Sequence, residues 1–422
     1  MGTDTGTGAV TARRAASAPD SAPEPSTAAA PAPGLYDQAG RQISCLRLSV
    51  TERCGFGCIY CTGGRSHGCR RDDLPPEEIL TLARGAALAG CTRIRLTGGE
   101  PLERVDLPEI IRGLAELPGI TSLGLTTNGC RLAAAARELA DAGIRDVNVS
   151  LDSADPGVLR QITGRSCLDQ ILSGIEAALE AGCRVKINTV LLKGLNDDPG
   201  SIHDLADLIF RHPLDLRFIE LMPADREDFS HERYFAPAEA VFRALPGLVP
   251  AEDESQNAPA RNYVLKGARG RIGIISPVTR KFCRTCNRIR ITADGMLRPC
   301  LLSRREFPLR GLTSEEVAKM IRDAVSCKPR EHRLTAGCGG SSGQNMPGGR
   351  RPDRIRDNND RHLSRGSTGS GDCNVTARQS VNRNGCGNGN ESGNRIRNGT
   401  DNEPAGSPDD SSVRLAMGRI GG

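Results

Sequence analysis

The residues of this chain whose types and spacing best suit chemistry are three cysteines near its amino terminus. Cys54, Cys58 and Cys61 form a C-x3-C-x2-C pattern within the stretch CLRLSVTERCGFGCIYC. Three thiolates can ligate three irons of a four-iron cubane and leave the fourth iron open to another ligand. A structural zinc site needs a fourth ligand and usually carries its cysteines in closely spaced pairs, and it remains the alternative. The odd number of thiols therefore favours an iron–sulfur cluster with one open iron.

A second cysteine set lies in the stretch FCRTCNRIRITADGMLRPC. Cys283, Cys286 and Cys300 follow a C-x2-C-x13-C pattern, so that three thiols are again present instead of four. The alternation of arginine and isoleucine after Cys286 predicts a strand that leaves the cysteines, and residues 293–295 predict a hairpin turn back to Cys300. A zinc knuckle whose fourth ligand lies elsewhere is the alternative here.

Alternating strands and helices must position both cysteine sets. Apolar and polar residues alternate over residues 46–50, which predicts a buried strand that ends just before Cys54. Further strands are predicted at residues 93–97, 121–126, 146–151, 185–191 and 215–221. Helices are predicted between them, near residues 79–86, 107–117, 132–139, 168–179 and 202–210.

Helical crossovers between strands imply a parallel sheet with right-handed connections. Six strands are too few for a closed eight-stranded barrel. We therefore predict an α/β fold with an open, partial six-stranded barrel, followed by a C-terminal region that carries the second cysteine set. The first cysteine set would then lie at the carboxyl end of a strand, where parallel α/β proteins place their active sites.

Composition limits which parts of the chain fold. Hydrophobic residues make up only 37% of the 422 residues, which indicates that part of the chain has no packed core. We expect a disordered extension at residues 1–34, the barrel at 35–222, the second cysteine region at 223–334, a low-complexity insert at 335–412 and a terminal segment at 413–422.

The chain also excludes several classes of protein. A net charge of +5 is too mild to indicate a nucleic-acid partner. No apolar run approaches the roughly 20 residues of a membrane span. Sixteen cysteines in a long chain without a signal peptide indicate metal ligands and reduced thiols, so we expect a cytoplasmic protein.

Several motifs together resemble those of one enzyme family. The stretches LRLSVTERC, RIRLTGGEPL, LTTNG, VNVSLD, VKINTV, RFIELMP and CNRIRITADGMLRPC, with a terminal Gly-Gly, are similar to the GTP 3',8-cyclases (molybdenum cofactor biosynthesis protein A) of the radical S-adenosylmethionine (SAM) superfamily. The resemblance covers about residues 35–334 and the last ten residues. The first cysteine pattern indicates only the superfamily, whereas the second pattern, followed by Arg-x-Arg, and the terminal Gly-Gly indicate the cyclases.

The resemblance implies two [4Fe-4S] clusters, one SAM and one GTP. Cys54, Cys58 and Cys61 would hold the first cluster, and Cys283, Cys286 and Cys300 the second. The positions that match SAM contacts are Tyr60, Gly99, Ser150 and Met222. The positions that match GTP contacts are Arg47, Arg95, Thr126, Lys186, Arg288, Ile289 and Arg290. The positions that match catalytic roles are Arg217, Gly421 and Gly422, and the terminal glycines would thread into the cavity because they lack side chains.

The implied reaction is the first step of molybdenum cofactor biosynthesis. A 5'-deoxyadenosyl radical takes the ribose 3' hydrogen of GTP, the C3' radical attacks guanine C8, and one electron and one proton complete the product. We expect an electron donor such as a flavodoxin or ferredoxin, cyclic pyranopterin monophosphate synthase as the acceptor of the product, and a homodimer as one option. The alternative function is another radical SAM enzyme with an auxiliary [4Fe-4S] cluster, such as a peptide-maturing enzyme.

Overall fold

A computed structural model describes residues 1–2, 34–61, 73–223, 229–251, 258–303 and 305–332. The chain divides into two units, Met1–Arg378 and Gln379–Gly422, and all of the described residues belong to the first unit. Nearly all of the predicted extension at residues 1–34 lies outside the described residues, as do the whole insert at 335–412 and the terminal segment with Gly421 and Gly422. The domain boundaries predicted from the sequence stay predictions.

All six strands predicted from the sequence are present. They are β1 (Cys45–Ser49), β2 (Arg93–Thr97), β3 (Ser122–Thr127), β4 (Asp146–Ser150), β5 (Arg184–Leu191) and β6 (Asp215–Glu220). Six more strands follow in the C-terminal region: β7 (Val249–Pro250), β8 (Arg261–Val264), β9 (Arg271–Ile275), β10 (Arg288–Ile291), β11 (Met296–Arg298) and β12 (Phe307–Pro308). The predicted strand after Cys286 and its hairpin are therefore confirmed as β10 and β11, which pair antiparallel.

The twelve strands form one sheet in the order β12-β11-β10-β1-β2-β3-β4-β5-β6-β9-β8-β7. The six predicted strands run parallel, as expected, and the C-terminal region adds a parallel strand at each side. β10 pairs with β1, and β9 pairs with β6. Both edges of the sheet, β12 and β7, belong to antiparallel additions from the same region. Side chains from β10, β1, β6 and β9 line one cavity, so the sheet curves into an open barrel.

Nine α-helices are described. They are α1 (Pro76–Ala89), α2 (Leu107–Ala115), α3 (Leu132–Ala142), α4 (Pro156–Thr163), α5 (Leu168–Glu180), α6 (Pro199–Arg211), α7 (His231–Tyr234), α8 (Glu239–Ala244) and α9 (Ser314–Ser326). α1, α2, α3, α5 and α6 confirm the five predicted helices, whereas α4, α7, α8 and α9 were not predicted. None of the described helices has the length and apolar character needed to span a membrane.

The core lies between the helices and the outer face of the sheet. Leu46 and Leu48 of β1 are fully buried there, while Arg47 between them faces the barrel interior. The same alternation on β2 buries Ile94 and Leu96. The apolar set of each strand thus packs under the helices, and its polar set is left to line the interior.

Candidate active site

The first cysteine triad lies on a loop at the carboxyl end of β1. Backbone hydrogen bonds hold this loop against the end of α4: the Gly57 and Ile59 amides donate to the carbonyls of Thr163 and Ile162, each at 2.9 Å. The Arg165 guanidinium donates to the Gly55 carbonyl at 2.7 Å. α4, one of the helices that the sequence did not predict, therefore serves to fix the ligand loop.

The three thiols of this loop lie near one another. Burial raises the pKa of Cys54, and the charges of Glu100 and Cys61 raise it further. The pKa of Cys58 is raised by burial first and then by Asp152, Cys61 and Cys54. Thiolates crowded in this way are stabilised by a bound cation, which fits metal ligation.

The Gly-Gly-Glu-Pro segment after β2 packs directly against the residues that lead into the triad. The Gly99 amide donates to the Thr51 carbonyl and the Glu100 amide to the Arg53 carbonyl, both at 2.7 Å. A Cβ on Gly99 would stand 2.2 Å from the Arg53 carbonyl oxygen, so this approach requires glycine. The Glu100 carboxylate accepts from Asn128 N at 2.6 Å and ties the segment to the loop after β3.

The residues expected to contact SAM lie at the same end of the barrel. Tyr60 lies between Cys58 and Cys61, Gly99 follows β2, Ser150 ends β4 and Met222 follows β6. The Tyr60 hydroxyl donates to Asp152 Oδ2 at 2.7 Å. Burial raises the pKa of the Asp152 carboxyl to about 6, against the lowering effect of the Tyr60 hydrogen bond.

The second cysteine triad lies at the opposite end of the barrel. Cys283 and Cys286 belong to a short turn that ends two residues before β10, and β10 runs parallel to β1. Cys300 follows β11. Burial raises the pKa of Cys286, but the charges of Lys328 and Arg288 and the hydrogen bonds to Arg288 outweigh it, so the pKa is lowered. This surrounding favours the thiolate, which is the form that ligates iron.

A cavity of about 460 Å³ opens at the amino ends of the parallel strands, beside the second triad. Its charged lining residues are Arg47, Arg93, Arg95, Asp146, Arg184, Lys186, Asp215, Arg217, Arg271 and Arg288. Eight basic side chains thus face two carboxylates. The cavity is suited to a ligand with several negative charges.

Both carboxylates of the cavity form ion pairs. Arg184 Nη2 lies 2.9 Å from Asp146 Oδ2. Arg271 Nε lies 3.1 Å from Asp215 Oδ1, and Lys186 Nζ lies 3.8 Å from Asp215 Oδ2. Among the residues that the structure describes, five of the lining arginines form no ion pair with a carboxylate: Arg47, Arg93, Arg95, Arg217 and Arg288. The charge of these five guanidiniums is therefore not balanced by a carboxylate in the cavity.

Burial and mutual repulsion act on these arginines. The pKa of Arg47 is held well below its ordinary value by burial and by Arg290 and Arg288. Burial, followed by the charge of Arg288, lowers the pKa of Arg290 to about 10. Burial also lowers the pKa of Arg95 and Arg217. An anion in the cavity would relieve both effects at once.

Four buried polar atoms on adjacent strands have no hydrogen-bond partner. They are Thr126 Oγ1, Asn148 Oδ1, Asn188 Oδ1 and Arg217 Nε. Strand register places Thr126 beside Asn148, and Asn188 beside Arg217. Buried polar groups are rarely left unpaired in native proteins, so this row indicates contacts to a bound molecule in the barrel.

The structure brings most of the predicted GTP positions together. Arg47, Arg95, Lys186 and Arg288 line the cavity with Arg217, and Thr126 lies deeper, in the row of unpaired atoms. The Ile289 side chain instead packs in the core, fully buried, because it alternates with Arg288 and Arg290 on β10.

Sequence reasoning missed several residues of the site. Asn148 and Asn188 belong to the unpaired row, and Arg93, Arg184 and Arg271 line the cavity. The alternation of the strands could have identified four of them, because each lies two residues before or after a predicted site residue on the same strand. These four are Asn148, Asn188, Arg93 and Arg184. Arg271 belongs to β9, which was not predicted.

The donor set fits iron–sulfur clusters better than a single metal ion. Within the described ranges, no three His, Cys, Asp or Glu side chains lie close enough together to hold one metal ion. A cubane takes one thiolate at each iron and so requires thiols that are spread around it. The first triad supplies three such thiols on one loop, and the second supplies two from the turn before β10 and one from the segment after β11.

Comparisons with known proteins match both halves of this arrangement. Residues 48–206 match the Radical SAM superfamily, and residues 214–334 match the Molybdenum Cofactor Synthesis C family. The chain is 44% identical over 315 residues to a GTP 3',8-cyclase of Moorella thermoacetica, which covers 72% of this chain and 96% of that protein. It is 40% identical over 311 residues to Molybdenum cofactor biosynthesis protein 1 of Mus musculus, covering 71% of this chain and 48% of that protein. Among solved structures, Streptococcus suis SuiB bound to S-adenosylmethionine overlaps 67% of this chain and 65% of its own at 15% identity, with a TM-score of 0.48.

Proposed function

Because this chain belongs to the GTP 3',8-cyclase family, we propose that the cationic cavity beside the second cysteine triad is its GTP site. The protein is a radical SAM enzyme of molybdenum cofactor biosynthesis that converts GTP to (8S)-3',8-cyclo-7,8-dihydroguanosine 5'-triphosphate. We assign this reaction to the lyases. The single observation that carries the site is the excess of basic side chains at the amino ends of the strands.

Two [4Fe-4S] clusters and SAM are the cofactors, and when bound they supply the 5'-deoxyadenosyl radical and an open iron for the guanine. Cys54, Cys58 and Cys61 would hold the first cluster, and Cys283, Cys286 and Cys300 the second. Tyr60, Gly99, Ser150 and Met222 would then form the SAM site at the carboxyl ends of the strands.

The chain's own side chains bind and orient the nucleotide. Arg47, Arg95 and Arg288 would neutralise the triphosphate, which carries about four negative charges. Arg217 would hold the ribose, because its unpaired Nε lies in the row of buried polar atoms between the two ends of the barrel. Fixing the ribose in a dry cavity directs the radical to one C–H bond.

The compartment, the electron donor, the acceptor of the product and the oligomeric state are also proposals. Both clusters and the free thiols need a reducing compartment, so we place the enzyme in the cytoplasm. The electron donor would be a flavodoxin or ferredoxin, and the product would pass to cyclic pyranopterin monophosphate synthase. A homodimer remains an option to be tested by light scattering.

The decisive experiment is anaerobic turnover. The reconstituted chain should carry about eight irons, four for each cluster. With GTP, SAM and dithionite it should form 5'-deoxyadenosine and a cyclised nucleotide in equal amounts, detected by mass spectrometry. Replacing Cys54 with alanine should abolish both products.

Matched arginine variants test the GTP site separately. Arg288→Ala or Arg290→Ala should lose cyclisation while keeping reductive SAM cleavage, whereas Arg137→Ala, an exposed arginine of α3, should change neither. Cleavage of SAM without consumption of GTP by the unaltered chain would contradict the proposal. Such a result would favour the alternative of a peptide-maturing enzyme.

A further inference from the structure

Lys328 is a buried cation beside the second cysteine triad, and the proposed binding of GTP makes no use of it. It follows α9 and is only 6% exposed. It is not among the residues that line the cavity. Lysine is rarely buried unless its charge has a partner, so its place requires an explanation.

The Lys328 ammonium bridges the two segments that carry ligands of the second triad. Its Nζ donates to the Pro299 carbonyl at 2.6 Å and to the Arg288 carbonyl at 2.8 Å. Pro299 directly precedes Cys300, and Arg288 lies two residues after Cys286. These two bonds place the charge between both ligand segments.

The counter-charge of Lys328 comes from the ligand thiols. Among the residues described, no carboxylate forms an ion pair with it. Burial lowers the pKa of Lys328 most, Cys286 and Cys300 favour its charged form, and Arg41 and Arg288 oppose it. An unpaired buried charge is strongly destabilising, so the thiols beside its two carbonyl contacts, with the cluster they would ligate, are its electrostatic partner.

We infer that the charge of Lys328 raises the reduction potential of the second cluster. The inference rests on the proposed function, because it requires a cluster on Cys283, Cys286 and Cys300. Reduction transfers one electron from the donor to the cluster and makes no new bond. A fixed cation at short range in a dry site stabilises the state with the extra negative charge.

Neighbouring contacts keep the backbone of Lys328 in place without its side chain. The Arg41 guanidinium donates to the Pro329 carbonyl at 2.8 Å and to the Arg330 carbonyl at 3.0 Å. The same side chain donates to the Cys283 carbonyl at 2.7 Å. A change confined to the Lys328 side chain should therefore leave the segment docked on the ligand loop.

The test isolates the second cluster in the full-length chain. With Cys54, Cys58 and Cys61 replaced by alanine, the reconstituted chain should retain about four irons. EPR-monitored titration against a series of redox mediators then gives the reduction potential without GTP or SAM. The variants to compare in this background are Lys328→Gln, Lys328→Arg and, as the matched control, Lys319→Gln on the exposed face of α9.

Glutamine keeps a donor for the carbonyls but removes the charge, and arginine keeps both. We expect Lys328→Gln to have a lower potential with full iron content, and Lys328→Arg and Lys319→Gln to match the parent chain. Loss of the cluster from Lys328→Gln but not from Lys328→Arg would also support the inference, because it would show that the cluster requires the positive charge at this position.

Two results would overturn the inference. One is an unchanged potential in Lys328→Gln with four irons present. The other is cluster loss from Lys328→Gln and Lys328→Arg alike, which would make the residue a structural support. If the parent chain itself bound no four-iron cluster, the proposed function would fail at its second triad, and the inference would fail with it.

Discussion

Every charged side chain that lines the cavity stands at the first or third position of its strand. Arg47, Arg95, Lys186 and Arg217 all occupy third positions, so one local rule of strand geometry places them on the interior face. These residues were predictable because motif and alternation agree. Lys328 and Asp152 were not, since their partners lie far away in the sequence and only the tertiary fold brings them together.

Arg217 offers the sharpest test at this scale. Arg217→Lys keeps the charge but loses the Nε that now has no protein partner. We expect kcat for cyclisation to fall roughly 10- to 100-fold, the effect of one hydrogen bond involving a charged group. Thermal stability should be unchanged. Arg211→Lys, an exposed arginine just before β6, is the control; normal turnover by the Arg217 variant would remove the residue from the ribose contact.

Asp152 should give stability a dependence on pH. Its folded pKa of about 6 lies above the ordinary carboxyl value, so the folded chain binds this proton more tightly than the unfolded chain. The stabilisation is complete below about pH 4 and is lost as pH rises through about 6, a total of about 3 kcal/mol.

Urea unfolding of the cluster-free chain between pH 4 and 7 measures this effect. The free energy of unfolding of the native chain should fall relative to that of Asp152→Asn as pH rises. A difference between the two that stays constant with pH would refute the assignment.

At the scale of elements, helical periodicity and strand alternation identified the six strands of the parallel core and β10, but not β9. β9 and β10 lie within the C-terminal region and join the sheet on opposite sides of the core. They pair in parallel with β6 and β1, which are distant in the sequence, so the local pattern of residues does not predict these pairings. α4 was missed because its eight residues follow directly on a turn after β4 and present only Leu159 and Ile162 as large buried side chains.

The contact between α1 and α9 yields a prediction about packing. A Cβ on Gly85 of α1 would stand 2.4 Å from Val317 Cγ1 and 2.8 Å from the Ser314 carbonyl oxygen of α9. Gly85→Ala should therefore destabilise the chain by about 1–3 kcal/mol, as overpacked cores do.

The matched control is Gly113→Ala on α2. Its Cβ would meet the Leu80 methyl groups at 2.8 and 2.9 Å, which are the far end of a flexible side chain. The Leu80 side chain can move away from the new methyl group, and alanine has a higher helix propensity than glycine. The free energy of unfolding of Gly113→Ala should therefore be nearly unchanged. Equal urea midpoints for the two variants would show that α9 does not pack rigidly on α1.

For the whole molecule, composition separated the folded part of the sequence from the rest, and the cysteine triplets indicated two metal sites. The family resemblance implied that these sites face one another across a shared chamber, but no local sequence pattern places them at opposite ends of one barrel. That arrangement depends on β10 running parallel to β1, and both directions of β10 satisfy the same alternation of residues.

The terminal glycines provide a test at this scale. Deleting Gly421 and Gly422 should strongly reduce cyclisation while the affinity for GTP, measured by equilibrium dialysis, changes little. The reason is that only residues without side chains fit a closed cavity. Deleting Gly369 and Ser370 from the predicted insert is the control of equal size. Full turnover by the chain without its terminal glycines would show that they have no role in the cavity.

Strand β1 lies between the two cysteine triads. The first triad follows its carboxyl end, and the second triad precedes the strand paired with its amino end. Its five residues, at about 3.3 Å each, give the strand a length of about 16 Å. In the proposed function, the sulfonium ligand and the nucleotide would lie end to end along this length. Lengthening β1 by a pair of residues would preserve both ends of the barrel and still leave the radical out of reach of the sugar.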